Sequence, residues 1–166
     1  MFINKHQNLK ESRLYAKIKR MNSKAELGKS GEDMACRYLV DKGYRIIERN
    51  FRKPWGELDI IAKSRDKTLV FVEVKTMRSA YGRSPEGRQF GNQSGNQSNS
   101  YPQLPDLEIG PEMQMTSAKI KKTKRAASLY AGSFPKLVDD LKGWRIDLLA
   151  LTINGENCVV KHYENI

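Results

Sequence analysis

Apolar residues along the 166-residue chain recur at two spacings, one helical and one extended. From Lys24, the segment KAELGKSGEDMACRYLVDKGY carries Leu27, Gly31, Met34, Ala35, Tyr38 and Leu39 on one stripe of an amphipathic helix. Ser23, with Glu26 three residues later, predicts a capping box at its start. Gly43 is placed to end it. Gly28 and Gly31 inside the helix each cost about 1 kcal/mol against alanine. Such positions suit a close approach by a packed strand or by a substrate backbone. YRIIERNFR, Glu57–Ala62 and Leu69–Lys75 then read as strands, with KPWG turning the chain and KSRDK forming a hairpin loop. Three sequential strands after one helix predict a mixed or antiparallel meander with the helix laid on it. A second helix is predicted from Thr116 to about Ala131, its apolar side marked by Ile120, Ala127 and Tyr130. GWRIDLLALTI reads as a fourth strand, continuous enough to be central, and NCVVKHYEN as a fifth. The order is α-β-β-β-α-β-β, and a helix lying between strands can be the crossover that makes one neighbouring pair parallel.

Two regions depart from this pattern. Residues 1–24 form a basic extension in which Leu14, Ile18 and Met21 recur at helical spacing among lysines and arginines. It reads as a short basic helix or as a tail that orders on a partner, and a mobile solvated extension fits as well. Residues 79–115 contain FGNQSGNQSNSYPQLP, low in apolar residues and repeating Gly-Asn-Gln-Ser. That composition predicts a disordered loop or a lid that orders over a ligand. The organisation is therefore a basic extension followed by one domain, 25–166, interrupted at 79–115.

Charge narrows the partners. Lysine plus arginine number 30 against 19 acids, a formal net charge of +11. A small protein this basic is expected to meet a polyanion, above all nucleic acid, although a merely basic, soluble surface is the plainer reading. Cys36 and Cys158 have no metal or redox spacing and read as packed thiols of a reducing compartment. No apolar run approaches the roughly 20 residues that span a bilayer. The first 20 residues hold no continuous apolar stretch of the secretory kind. The expectation is a cytoplasmic protein with no membrane partner, at the nucleoid if DNA is its ligand.

The chemistry lies in GELDIIAKSRDKTLVFVEVKT. Residues two apart share a face of a strand, so Glu73 and Lys75 point the same way, with Leu69 and Phe71 behind them. Glu57 and Asp59 are expected to share a face of their own strand. If the two strands pair as a hairpin, Asp59 and Glu73 converge near one end. Two carboxylates so held raise each other's pKa, and a divalent cation between them makes the arrangement favourable. Magnesium takes such oxygen ligands together with waters and phosphate oxygens. It can then polarise a phosphodiester and acidify an attacking water, with Lys75 placed to orient that water or offset charge in the transition state. A lone Glu-x-Lys is more often a solvent-facing salt bridge.

GKSGEDMACRYLVDKGYRIIERNFR, GELDIIA, LVFVEVKT, the lysine-rich helix and WRIDLLAL together resemble the YraN-like family of small bacterial proteins. That family is placed in the restriction-endonuclease-like PD-(D/E)xK superfamily and is similar in fold to archaeal Holliday-junction resolvases. The resemblance runs from about Ala25 to Lys75 and from about Thr116 through Leu151. It implies an α/β fold with a restriction-endonuclease-like core, a central mixed sheet of about five strands flanked by helices. Position by position, it implies that Asp59 is the first acid of the motif and that Glu73 and Lys75 are its (D/E)xK. It further implies that Glu32 completes the acidic cluster, and that Lys119 opens the second long helix as a phosphate contact. Mg2+ or Mn2+ is the implied cofactor, DNA the implied partner and a homodimer the implied assembly. The chain departs from the family in its longer bridge after Lys75 and its longer basic tail.

Three functions fit these residues. The first is a metal-dependent endonuclease acting through Glu32, Asp59, Glu73 and Lys75. The second is a non-catalytic module that keeps the fold and binds nucleic acid through its basic helix, with Lys119, Lys122 and Arg125 as contacts. The third is an interaction protein in which these acids and lysines merely pair with one another.

Overall fold

The computed structural model describes residues 5–9, 23–78, 110–154 and 157–166. The elements are β1 (Lys5–Leu9), α1 (Lys24–Asp41), β2 (Arg45–Lys53), β3 (Gly56–Lys63), β4 (Leu69–Arg78), α2 (Ser117–Ser133), β5 (Trp144–Asn154) and β6 (Asn157–Tyr163). They form one mixed sheet in the order β1-β6-β5-β4-β3-β2. β2, β3 and β4 make the expected antiparallel meander. β4 and β5 are parallel, so the connection carrying α2 is a crossover. This is the α/β architecture and element order expected of a restriction-endonuclease-like core.

Among the described residues the sheet has six strands, one more than the apolar pattern predicts. Lys5–Leu9, expected in a helix or a tail, pairs antiparallel with β6 from Lys5↔His162 to Leu9↔Cys158. A strand at a sheet edge is held by backbone hydrogen bonds and needs no apolar alternation, so the KHQNL segment carried no strand signal. Leu14, Ile18 and Met21 lie outside the described residues, as does most of the loop expected at 79–115. The end of that loop is ordered. Pro111–Gln114 forms a 3-10 turn, and Glu112 Oε1 accepts hydrogen bonds from Lys161 Nζ at 3.0 Å and Tyr163 Oη at 3.1 Å.

α1 begins as its sequence predicts. The Ser23 hydroxyl accepts from the Glu26 N–H at 3.2 Å, and the Glu26 carboxylate accepts from the Ser23 N–H at 3.3 Å. Gly43 ends the helix with φ +83°, a conformation that costs glycine nothing. Alternate residues of β4 then divide the core. Val70, Val72 and Val74 pack with Met34, Ala35, Tyr38 and Leu39 of α1 on one face. Leu69 and Phe71 pack with Ala126, Ala127, Tyr130 and Ala131 of α2 on the other. Two glycines set how closely the helices lie. A Cβ at Gly31 would fall 1.8 Å from Thr76 Oγ1, so the close approach anticipated there is to strand β4. A Cβ at Gly56 would fall 2.7 Å from Ala126 Cβ, so this glycine lets α2 settle onto β3. Gly28 has open space around it.

Candidate active site

The seam between β3 and β4 is where the charges gather. The two strands pair from Lys63↔Leu69 to Ile60↔Val72, and there the ladder stops. In its place the Asp59 Oδ2 accepts the Val74 N–H at 2.8 Å. A carboxylate thus stands where a carbonyl of β3 would otherwise serve. Opposite it on β2, Asn50 takes φ +54°. The burial pattern slips at the same level, since Leu58 joins the α2 side of the core while Ile60 joins the α1 side. Glu57 and Asp59 therefore do not continue one face, as strict alternation had led us to expect. Glu57 is exposed and Asp59 is half-buried in the seam.

Glu73 sits two residues beyond Phe71 on the α2 side of β4 and is only 1% exposed. Its Oε1 lies 2.5 Å from Lys75 Nζ and 3.1 Å from Lys119 Nζ. Lys119 is also 3.3 Å from Glu57 Oε1. The start of α2 holds this lysine in place: Thr116 is the N-cap, and its side-chain oxygen accepts the Lys119 N–H at 3.3 Å. Glu73 Oε2 is buried with no hydrogen-bond partner. A buried carboxylate oxygen left bare is costly unless something else meets it.

The titration shifts follow from this crowding. Burial, followed by the charge of Glu73, raises Asp59 from 3.8 to about 6, against the Val74 N–H and the ammonium groups of Lys75 and Lys119. The hydrogen bond from Lys119, and then its charge, lowers Glu57. Burial alone would lower Lys119, but the charges of Glu73 and Glu57 and their hydrogen bonds outweigh it and hold the ammonium above its usual range.

The sign of the Asp59 shift gives a test. The folded chain binds this proton more tightly than the unfolded one, so ionised Asp59 costs stability. The cost is present above about pH 6 and vanishes as pH falls through the folded value toward 3.8. Asp59→Asn, melted in EDTA, should therefore raise Tm at pH 7 by a few degrees, with the gain shrinking toward pH 4. A lower Tm at pH 7 would instead support acids and lysines that merely pair.

The structure thus brings Asp59, Glu73, Lys75 and Lys119 together, with Glu57 at the rim. It does not bring Glu32 into contact with them. Glu32 is half-buried on α1, and its charge is felt at Cys36 and Arg49. Its helix neighbour Asp33 pairs with Arg49 at 2.6 Å. Among the described residues, no three His, Cys, Asp or Glu side chains are grouped to hold a metal ion. Lys122 and Arg125 lie further along α2 and, with Pro54, Trp55 and Lys121, line an open groove of about 570 Å3. Cys158 is buried and Cys36 half-buried. Among the described residues no helix is long and apolar enough to cross a membrane.

Residues 31–151, which contain the seam, α2 and most of α1 and of the parallel β4–β5 pair, match the model of the uncharacterised protein family UPF0102. The chain belongs to this family. UPF0102 proteins similar to it include one from Caldicellulosiruptor bescii, 49% identical over 85% of this chain and 93% of the relative. Another, from Syntrophus aciditrophicus, is 37% identical over 87% of this chain and 90% of the relative. A third, from Syntrophomonas wolfei, is 34% identical over 84% and 96%. The UPF0102 match covers Glu32, Asp59, Glu73, Lys75 and Lys119, and leaves the basic extension outside it.

Proposed function

We propose that this UPF0102 protein binds DNA and hydrolyses its phosphodiester backbone with the help of a magnesium ion held at the β3–β4 seam. The observation that carries the reading is Glu73 Oε2, a buried carboxylate oxygen with no partner, beside the half-buried Asp59. The donor set fits the ion. Two hard carboxylates suit Mg2+ or Mn2+, which complete their coordination with waters and phosphate oxygens and so need no third acid. Asp59 and Glu73 would hold it. Bound there, magnesium supplies Lewis-acid polarisation of the phosphate and a more acidic water.

The chain's own residues do the rest. Lys75 contacts Glu73 and is placed to orient the attacking water and to offset developing negative charge. Lys119, set by its N-cap between Glu57 and Glu73, is placed to take a phosphate oxygen. Lys122 and Arg125 continue the cationic track along α2. In this reading Glu32 acts from α1 through water. The test is a panel of branched, nicked and single-stranded DNAs incubated with Mg2+ or Mn2+. Cleavage of at least one substrate is expected, with a loss of about a hundredfold or more in Glu73→Ala. Unchanged cleavage in that variant would remove the assigned site.

One observation favours a second reading, a non-catalytic nucleic-acid-binding module. Glu73 Oε1 is already shared by two ammonium groups, which neutralise the acid without a metal. Salt-sensitive DNA binding with no metal uptake would select it.

A further inference from the structure

We propose that the groove beside the seam is a subsite for an unpaired nucleobase, with Trp55 as its stacking platform. The proposal goes beyond the backbone contacts above and rests on that nucleic-acid reading for the course of the strand. Turn positions usually carry glycine, proline or small polar residues. The β2–β3 turn instead carries Trp55, next to Pro54. The indole is half-buried and backed by Phe51, with ring centroids 5.5 Å apart and planes at 52°. That backing fixes the ring in the open groove it lines with Pro54, Lys121, Lys122 and Arg125. An aromatic surface facing cations, with no carboxylate among the described lining residues, suits a base stacked on the ring and its flanking phosphates on the helix.

The groove leads to the site. Lys122 lines it and lies about one helical turn along α2 from Lys119. Glu57 holds Lys119, which touches Glu73. A strand laid along α2 would thus pass from Arg125 and Lys122 to Lys119 and the acids. Base stacking on a half-buried ring requires a base free of its own duplex stack. The ligand class is therefore single-stranded or locally unpaired nucleic acid.

The chain has two tryptophans, Trp55 and Trp144, so a Trp144→Phe variant leaves Trp55 as the sole indole. Trp144 packs edge-on against Phe71 at 5.7 Å, a contact phenylalanine can keep. Titration in EDTA with oligo-dT, oligo-U and a duplex of equal length tests the groove independently of any metal. The single strands should quench Trp55 fluorescence, and the dT and U arms show which sugar is preferred. In the otherwise native chain, Trp55→Leu should weaken single-strand binding about tenfold or more, Trp55→Phe should keep most of it, and duplex binding should change less than about twofold. Absence of quenching, or equal loss for single strand and duplex, would overturn the subsite. Quenching without any metal uptake would support the subsite while removing the hydrolytic reading.

Discussion

Asp147→Ala is expected to lower folding stability by about 3–5 kcal/mol, the cost of taking one partner from a buried charged network. Asp147 lies in β5 and is 0% exposed. Its Oδ1 accepts from Arg145 Nε at 2.9 Å and from the Asn165 N–H at 3.0 Å. Its Oδ2 lies 2.9 Å from Nε2 of buried His162. Arg145 in turn donates to Tyr44 Oη at 2.9 Å, tying β5 to the chain just after α1. Removing the carboxylate would take one partner from the guanidinium, from the imidazole and from a backbone N–H. A loss of this size is a large share of the 5–15 kcal/mol typical of a domain. Asp147→Asn keeps an acceptor and should lose less. Urea titration measures both, and a loss below about 1 kcal/mol for the alanine variant would contradict the account of this network. The network belongs to the α1 side of the sheet and Glu73 to the α2 side, so the effect should fall on stability.

Much of the frame was legible in the chain because local chemistry dictates it. The capping box at Ser23 and Glu26 and the positive φ at Gly43 are local signatures, and both formed as expected. The convergence of Asp59 with Glu73 and Lys75 followed from strand alternation plus a hairpin. Other features depend on partners remote in sequence. β1 exists through β6, more than 140 residues away in the chain. The use of Gly31 remained open between strand and substrate until Thr76 was placed against it. Asp147 is masked by the apolar strand around it, although Arg145 two residues before it follows the same alternation that puts Glu73 with Lys75. Trp55 carried no periodic signal, because a turn residue has none. Glu32 came from family resemblance, because helix spacing alone leaves it on the border of the buried stripe.

Glu73→Ala is expected to have the second large effect, the loss of the metal uptake proposed above. Glu73 supplies the bare buried oxygen, and Asp59 Oδ2 is already engaged by the Val74 N–H. Without Glu73, one carboxylate with a partly used acceptor set would face two lysines, Lys75 and Lys119. A divalent cation would then meet net positive charge, and its affinity should fall at least about a hundredfold, as expected when a principal oxygen ligand is lost. Folding should persist, because both lysines are partly exposed and can turn to solvent. The most direct measurement is calorimetric titration of Mn2+ into the native protein and into Glu73→Ala at pH 7.5. Saturable uptake is expected of the native chain, and none of Glu73→Ala. No uptake by the native chain, or equal uptake by both, would contradict a metal seat between Asp59 and Glu73.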